Sequence, residues 1–202
     1  MNKLWRYRIS LILLVSLFAS IPLIYALTGY RTISKMTEEM HAHDIPMIKQ
    51  VDQLVEHNRD RANAVRGLLL YEDDRYIEQY YFCTTKIHDL RRVLNASNET
   101  PVPIKDLLAR NNAWEKEIDT VFRLYETNGS QAATVLAKQS TQTTQTILED
   151  LAQVKDQLYT ELDQELENTA LVTASYKRMC FSLSILAFLL ISVTITLFHR
   201  IK

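Results

Sequence analysis

Residues that break helices are scarce in this chain of 202 residues, which contains only three glycines and four prolines. So few breakers over this length favour long, uninterrupted helices. The sequence also lacks any sustained alternation of apolar and polar residues, which is the pattern of a half-buried strand. It therefore predicts an all-α protein without a sheet.

Cysteine and net charge are scarce as well. The two cysteines, Cys83 and Cys180, are too few for a disulfide framework, and Cys180 lies inside an apolar run that Cys83 should not reach. We expect Cys83 to be a small buried hydrophobe, with an intermolecular bridge as the alternative. The 23 basic and 24 acidic residues nearly balance, so nothing suggests a surface for nucleic acid.

Two charge-free apolar runs lie at 9–30 and 179–198. Each has about the 20 residues that a helix needs to cross roughly 30 Å of hydrocarbon. We therefore expect two transmembrane helices in a lipid bilayer. A cleaved signal peptide is the alternative for the first run, but that run is longer than a signal-peptide core and no good cleavage site follows it.

These two runs divide the chain. Residues 1–8 and 199–202 form short outer flanks, and residues 31–178 form one domain between the membrane segments. Two passes place both termini on the same side of the membrane. The charge bias between the flanks is weak, but long loops translocate largely regardless of charge. We expect both termini in the cytoplasm and the domain outside.

Helical spacing fills the central domain. Residues 31–70 are predicted to form one helix, bent at Pro46, which lacks an amide hydrogen. The second helix begins near Asp73 or Asp74, because a carboxylate favours a helix N-terminus. In the first and third helices, seam residues recur at steps of three and four: Ile48, Val51, Val55, Asn58, Ala62, Val65 and Leu69, then Ile104, Leu107, Asn111, Trp114, Ile118, Val121 and Tyr125.

The last predicted helix is the longest. It starts at Ser130, a candidate cap residue that follows Gly129, which suits a left-handed end of the third helix. It has no glycine or proline, and its segment 139–145 consists almost wholly of Thr, Gln and Ser. Short connections at 71–73 and 128–130 favour antiparallel neighbours. The predicted fold is an antiparallel, up-down-up-down four-helix bundle flanked by two transmembrane helices.

The corner after the first helix resembles a known family. Its residues are the run Arg66–Leu70, the acidic break Glu72–Asp74, and Tyr76, Ile77 and Tyr80, supported later by Asn111, Asn112, Trp114, Asn128–Gly129 and Ala132–Ala133. In this pattern residues 30–200 resemble the extracytoplasmic four-helix-bundle sensor domains of bacterial chemoreceptors and of sensor histidine kinases with CHASE-type domains. Tyr71 departs from the pattern, because a Thr-Gly turn is common there.

The resemblance implies a sensory input module in the bacterial inner membrane that works as a homodimer. It would pass an extracytoplasmic signal by helix displacement to a cytoplasmic signalling partner or domain, which the chain itself does not contain. The ending at Phe198–Lys202 resembles the start of a linker, so we expect either the sensing half of a longer receptor or a stand-alone subunit. A non-sensing two-pass coiled-coil scaffold is the alternative. No constellation for catalysis, a metal or a cofactor is present, so an enzyme is not expected.

Four residues are candidates for binding a small-molecule ligand: Arg59, Arg66, Tyr76 and Tyr80. The arginines belong to a charged belt that also holds His57, Asp60 and Arg61. Arginine pairs with carboxylates through two hydrogen bonds, but an exposed face of charged pairs is the competing interpretation. The tyrosines would equally well fill the end of the bundle.

A second polar cluster consists of His41, His43 and Asp44, which are residue types that bind metals. Histidines two residues apart on a helix point to different faces, which makes them a poor chelate. We therefore predict no metal site there and expect a solvated face beside the membrane.

Overall fold

The structure, a computed structural model, describes the backbone of residues 3–97 and 100–200 and the side chains of residues 9–10, 12–97 and 100–196. Its helices are α1 (Lys3–Glu39), a π-helical segment (Met40–Asp44), α2 (Ile45–Tyr71), α3 (Arg75–Ala96), α4 (Val102–Asn128) and α5 (Ser130–Arg200). No strand occurs in the described ranges, so the all-α prediction is confirmed.

The predicted first helix is interrupted at the π-helical segment Met40–Asp44. This segment lies immediately before Pro46, which occupies the first turn of α2. Proline cannot give an amide hydrogen to the carbonyl four residues earlier, and single π turns interrupt α-helices at such places. The helical winding thus changes ahead of Pro46, and the bend at this proline stays a prediction.

The turn between α2 and α3 depends on Glu72 and Gly67. Glu72 is left-handed, with φ 51° and ψ 42°, and its amide donates to the carbonyl of Leu68 at 2.8 Å. The Tyr76 ring of α3 lies directly on Gly67 of α2, where a Cβ would stand 2.4 Å from the ring atom Cε1. A side chain at position 67 would push Tyr76 away, so this glycine permits the close approach of the two helices.

The turn between α4 and α5 agrees with its prediction at Gly129 and differs from it at Ser130. Gly129 is the C-cap of α4, with a positive φ of 81° and an extended ψ of 175°, and its amide donates to the carbonyl of Tyr125 at 3.0 Å. Ser130 does not cap α5, because it is the first residue of that helix. Its hydroxyl donates instead to Glu72 Oε1 at 2.6 Å, which ties this turn to the α2–α3 turn.

The contacts divide the chain into two units, and the first is His43–Leu162. One apolar core in this unit draws residues from α2, α3, α4 and the first part of α5. The predicted seams of the first and third helices are confirmed, because all their members are buried except the partly buried Leu69 and Tyr125. Cys83 is buried, as expected, and neither Cys83 nor Cys180 is in a disulfide within the chain.

The seam of α5 changes character along its length. Its buried residues also recur at steps of three and four, first as Ala133, Ala137, Ser140 and Thr144 and then as Ile147, Leu151 and Val154. Small side chains thus occupy the first half of the seam and large ones the second. This contrast determines where the core is left unfilled.

The other unit consists of 1–42 and 163–202. Within it, α1 and α5 meet at the rings of Tyr25 and Tyr176, whose centroids lie 5.1 Å apart. The Tyr25 hydroxyl donates to the Met179 sulfur at 3.0 Å. Most large apolar side chains of both helices are exposed here, among them Leu13 and Phe188. By length and composition, each of the stretches Ile12–Tyr71 and Ser130–Thr196 contains a part able to cross a membrane.

Candidate functional site

A cavity of about 230 Å³ lies among α2, α4 and α5, within the unit His43–Leu162. It is lined by Ala62, Val65, Arg66, Leu69, Leu70, Trp114, Ile118, Thr134, Ala137, Lys138, Ser140, Thr141 and Thr144. The cavity follows from the small residues of the α5 seam: Ala137, Ser140 and Thr144 face large residues of α4, but they do not fill the space that a leucine or isoleucine would occupy.

The lining combines apolar walls, hydroxyl groups and two cations. Arg66 and Lys138 are exposed, and the Arg66 guanidinium donates one hydrogen bond, to Asn63 Oδ1 at 3.3 Å. The buried indole nitrogen of Trp114 has no hydrogen-bond partner among the residues that the structure describes. The hydroxyls of Thr141 and Thr144 donate to the carbonyls four residues earlier, each at 2.9 Å.

This arrangement suits a small ligand with an anionic group and an apolar body. Guanidinium and ammonium groups attract carboxylates, while the walls from Val65, Leu69 and Ile118 remove apolar surface from water. A closed apolar cavity of about 150 Å³ holds benzene, so 230 Å³ accommodates a short-chain or single-ring carboxylate.

A buried polar layer crosses the core beside this cavity. Its centre is Arg61, which is 0 % exposed, whereas the sequence favoured an exposed charged belt at this position. The guanidinium donates to Asn58 Oδ1 at 2.8 Å, to Asn111 Oδ1, and to Thr84 Oγ1 at 3.3 Å. The interpretation of Arg61 as a surface residue is therefore wrong, because three helices supply the acceptors that its burial requires.

Charge and aromatic contacts complete this layer. The Glu115 carboxylate lies 3.6 Å from Arg61 and 2.9 Å from His88 Nε2. The guanidinium carbon of Arg61 also lies 4.7 Å from the centroid of the Trp114 ring and 5.5 Å from that of Tyr80. Burial lowers the pKa of Arg61, and the neighbouring Tyr80 and Glu115 oppose that shift.

The four ligand residues suggested by the sequence do not share one pocket. Arg66 lines the cavity, whereas Arg59 is exposed on α2 and does not line it. Tyr76 is half-buried and stacks on Tyr71 with centroids 6.0 Å apart. Tyr80 is 0 % exposed and packs edge-on against Phe122 at 4.9 Å. A ligand role for all four remains a prediction, and the geometry favours Arg66.

The residues of α5 that line the cavity were not predicted from the sequence. They are Lys138, Thr134, Ser140 and Thr141, and only the polar composition of 139–145 was noted there. Ala133 and Ala137 could have predicted a cavity beside α5, because small residues at seam positions leave space between the helices.

Metal-ligating side chains come together at a place that the sequence analysis did not single out. Among the residues that the structure describes, the group that converges is His57, Asp60 and Cys83, whose ligand atoms lie within 4.8 Å of one another. The cluster of His41, His43 and Asp44 lies within the π-helical segment Met40–Asp44 and does not form such a group in the structure.

Comparison with known protein families identifies the class of this protein. A family model for the CHASE3 domain matches residues 37–168, more than half of the chain. The protein is therefore a signal-sensing input domain, and it belongs to the CHASE3 family, whose members are extracytoplasmic sensor domains found in chemoreceptors and histidine kinases. The predicted resemblance is confirmed. No curated protein and no solved structure matches the chain.

Proposed function

We propose that this protein is the membrane-anchored sensory input module of a bacterial receptor of the chemoreceptor or sensor histidine kinase type. The observation that carries the proposal is the CHASE3 match over residues 37–168. It is a binding and signalling role rather than an enzymatic one. The chain would act as a homodimer and report to a cytoplasmic signalling partner or domain.

In this proposal α2, α3, α4 and the first part of α5 form an antiparallel up-down-up-down four-helix bundle. The shared apolar core and the bond between Ser130 and Glu72, which joins the two turns, support it. This bundle is the unit His43–Leu162. The domain of residues 31–178 that contains it lies outside the cell membrane, with transmembrane helices at 9–30 and 179–198 and both termini in the cytoplasm.

Exposed apolar side chains support the membrane anchors. Leu13, Leu17 and Phe188 are each more than 60 % exposed in the structure, and exposure of so much apolar surface to water is unfavourable. Hydroxyls in the second segment, such as those of Ser184 and Ser192, donate to carbonyls of their own helix. Their polar groups are thus satisfied without water, which lipid requires.

The stimulus in this proposal is a small anionic ligand in the cavity. The negative charge of the bound ligand would attract both Arg66 of α2 and Lys138 of α5. This attraction would favour a position of α5 closer to α2 over a more distant one. A ligand shifts such an equilibrium only through different affinities for the two positions. Because α5 continues unbroken to Arg200, a small displacement of this helix would carry the signal.

Ligand-dependent stability of the full chain tests this proposal. The protein in lipid nanodiscs would be heated with a panel of short-chain and single-ring carboxylates. A true ligand at 100 times its Kd stabilises the folded state by about 2.7 kcal/mol. Arg66→Ala and Lys138→Ala should each abolish the shift. Arg59→Ala is the matched control, since Arg59 is exposed on the same helix but outside the cavity.

The signalling part requires a separate measurement. The chain would be joined after Lys202 to the cytoplasmic half of a receptor with a measurable output, and a stabilising ligand should change that output. If neither stability nor output responds to any compound, a non-sensing two-pass scaffold becomes the better explanation. The exposed apolar helices favour that alternative equally, whereas the cavity favours sensing.

A further inference from the structure

Three metal-ligating side chains meet where α2 packs against α3. His57 and Asp60 are three residues apart on α2, which puts them on one face of the helix, and Cys83 belongs to α3. Their ligand atoms lie within 4.8 Å of one another. Ligands around a tetrahedral ion at 2.0–2.3 Å are closer than this, so modest side-chain rotation would bring all three to one ion.

The hydrogen bonding of His57 independently indicates a missing partner. Its Nδ1 atom is buried and has no hydrogen-bond partner among the described residues. A buried polar atom without a partner destabilises the folded state, and imidazole nitrogen is a preferred ligand of zinc and of neighbouring transition metals. A cation bound through Nδ1 would satisfy this atom.

The three donors select the type of ion. A thiolate and an imidazole favour transition metals such as Zn²⁺ over Mg²⁺ and Ca²⁺, which prefer oxygen ligands. Structural zinc sites use four protein ligands, whereas three protein ligands leave one position open. A three-ligand site therefore leaves one coordination position of the ion for water.

Charge is balanced at such a site. The Cys83 thiolate and the Asp60 carboxylate together offset the two charges of the cation. The nearby guanidinium of Arg61 is held by Asn58, Asn111 and the Glu115 carboxylate in its own polar layer. It therefore does not need Asp60 as a counter-ion.

We propose that His57, Asp60 and Cys83 bind a divalent transition-metal ion of the zinc type through imidazole nitrogen, carboxylate oxygen and sulfur. The Cys83 thiol releases its proton to solvent as its sulfur binds the ion, and water occupies the open position. The ion would link α2 to α3. This site goes beyond the small-anion role proposed above, and its occupation does not depend on that role.

Binding at this site should strengthen as pH rises, because metal and proton compete for the sulfur. Burial raises the pKa of Cys83, and the carboxylates of Asp60 and Glu56 raise it further, whereas Arg61 lowers it. A raised pKa opposes metal binding, because the ion must displace the thiol proton.

Cobalt titration of the full chain in detergent tests the site. Co²⁺ replaces Zn²⁺ with the same ligands, and a bound thiolate gives an intense near-ultraviolet charge-transfer band. We expect one Co²⁺ per chain, with the band lost when Zn²⁺ is added. Cys83→Ser and Cys83→Ala should remove the band. His57→Ala and Asp60→Asn should each weaken binding at least about tenfold, as loss of even a supporting group does.

Controls separate this site from adventitious binding. His41→Ala and Asp52→Asn alter a histidine and an aspartate outside the triad, and Cys180→Ser removes the other thiol; all three should bind like the wild type. Circular dichroism would confirm that each variant remains helical. Stoichiometric binding that survives Cys83→Ala, or that ignores both His57→Ala and Asp60→Asn, would overturn the proposal, as would no binding at micromolar Co²⁺. Loss of ligand sensing with metal binding intact would contradict only the proposed small-anion function.

Discussion

The apolar core of the unit His43–Leu162 is interrupted twice, in opposite ways. One interruption is the layer around Arg61, where a full-sized cation is buried and its partners fill the space. The other is the cavity beside Ala137 and Thr144, where small side chains leave the space open. Trp114 borders both of them, because its ring contacts Arg61 and also lines the cavity.

The difference teaches what each interruption is suited to do. A buried, hydrogen-bonded ion restricts the ways in which helices can pair, because a wrong register leaves charge and amides unpaired. Side chains around an unfilled space lose packing contacts, and no other interaction in the folded state replaces them. The polar layer thus favours a single arrangement, while the cavity leaves a place where a ligand can add stability.

The largest effect should come from Arg61→Ala. It removes the cation and leaves Asn111 and Glu115 without their partner, and breaking one side of a buried ion pair costs about 3–5 kcal/mol. Urea unfolding followed by circular dichroism would measure the loss. Arg59→Ala is the matched control and should lose less than about 0.5 kcal/mol. Equal losses in the two variants would mean that the polar layer does not stabilise the core.

The large half of the α5 seam provides the next test. Ile147→Ala deletes a side chain that is 2 % exposed, and such deletions cost about 2–5 kcal/mol. Thermal unfolding of the full chain would report it. A loss below 1 kcal/mol would indicate that this half of the seam is as loosely packed as the cavity, and the contrast between the two halves would disappear.

Filling the cavity should have a smaller effect of opposite sign. Ala137→Val places two methyl groups in the open space, and cavity filling commonly adds about 0.5–2 kcal/mol. The same variant should prevent binding of any cavity ligand. The measurement is thermal unfolding with and without the stabilising carboxylate. Ala152→Val, on the exposed face of α5, is the control, and a gain there as large as at position 137 would contradict the prediction.

Alkaline pH should act on the polar layer more than on the cavity. Burial raises the pKa of Tyr80 above its ordinary value of 10.0. The folded protein therefore keeps this proton at pH values where the unfolded chain loses it. Stability contributed by the neutral phenol is complete below pH 10 and declines as the pH rises further.

A pH series of urea unfolding curves measures this decline. Tyr80→Phe should flatten the dependence between pH 10 and 11, since it removes the group that titrates. Tyr71→Phe, at an exposed ring of the corner, should leave the slope as it is. An unchanged slope in Tyr80→Phe would show that other groups cause the loss.

The helices and their seams could be predicted because the α-helix fixes a spacing of three and four, whatever the partner helix is. Val51, Ile104 and Ile118 are buried for that reason. The burial of Arg61 was not predictable from the same rule, since it depends on acceptors from three helices. Its signal was present in Asn58 and Asn111, two polar residues on two different seams.

The ligand candidates were harder to predict than the fold. Arg66 and Arg59 look alike in the sequence, and only the packing of α5 against α2 distinguishes them. The cavity itself depends on the volumes of the side chains that face one another. Ala137 and Ser140 create it because they are too small to fill the space opposite α4, and the sequence does not show which residues lie opposite them. The bond between Ser130 and Glu72 joins residues 58 positions apart, and helical periodicity contains no information about such a contact.

The hydroxyls that line the cavity imply a mechanical property of α5. Thr141 and Thr144 share carbonyls with the amides of their own helix, and such sharing weakens the backbone bonds and bends helices. An anionic ligand would draw these hydroxyl hydrogens to itself and return each carbonyl to its amide alone. With ligand in the cavity, α5 would then be straighter and stiffer around Thr141 and Thr144 than it is without ligand.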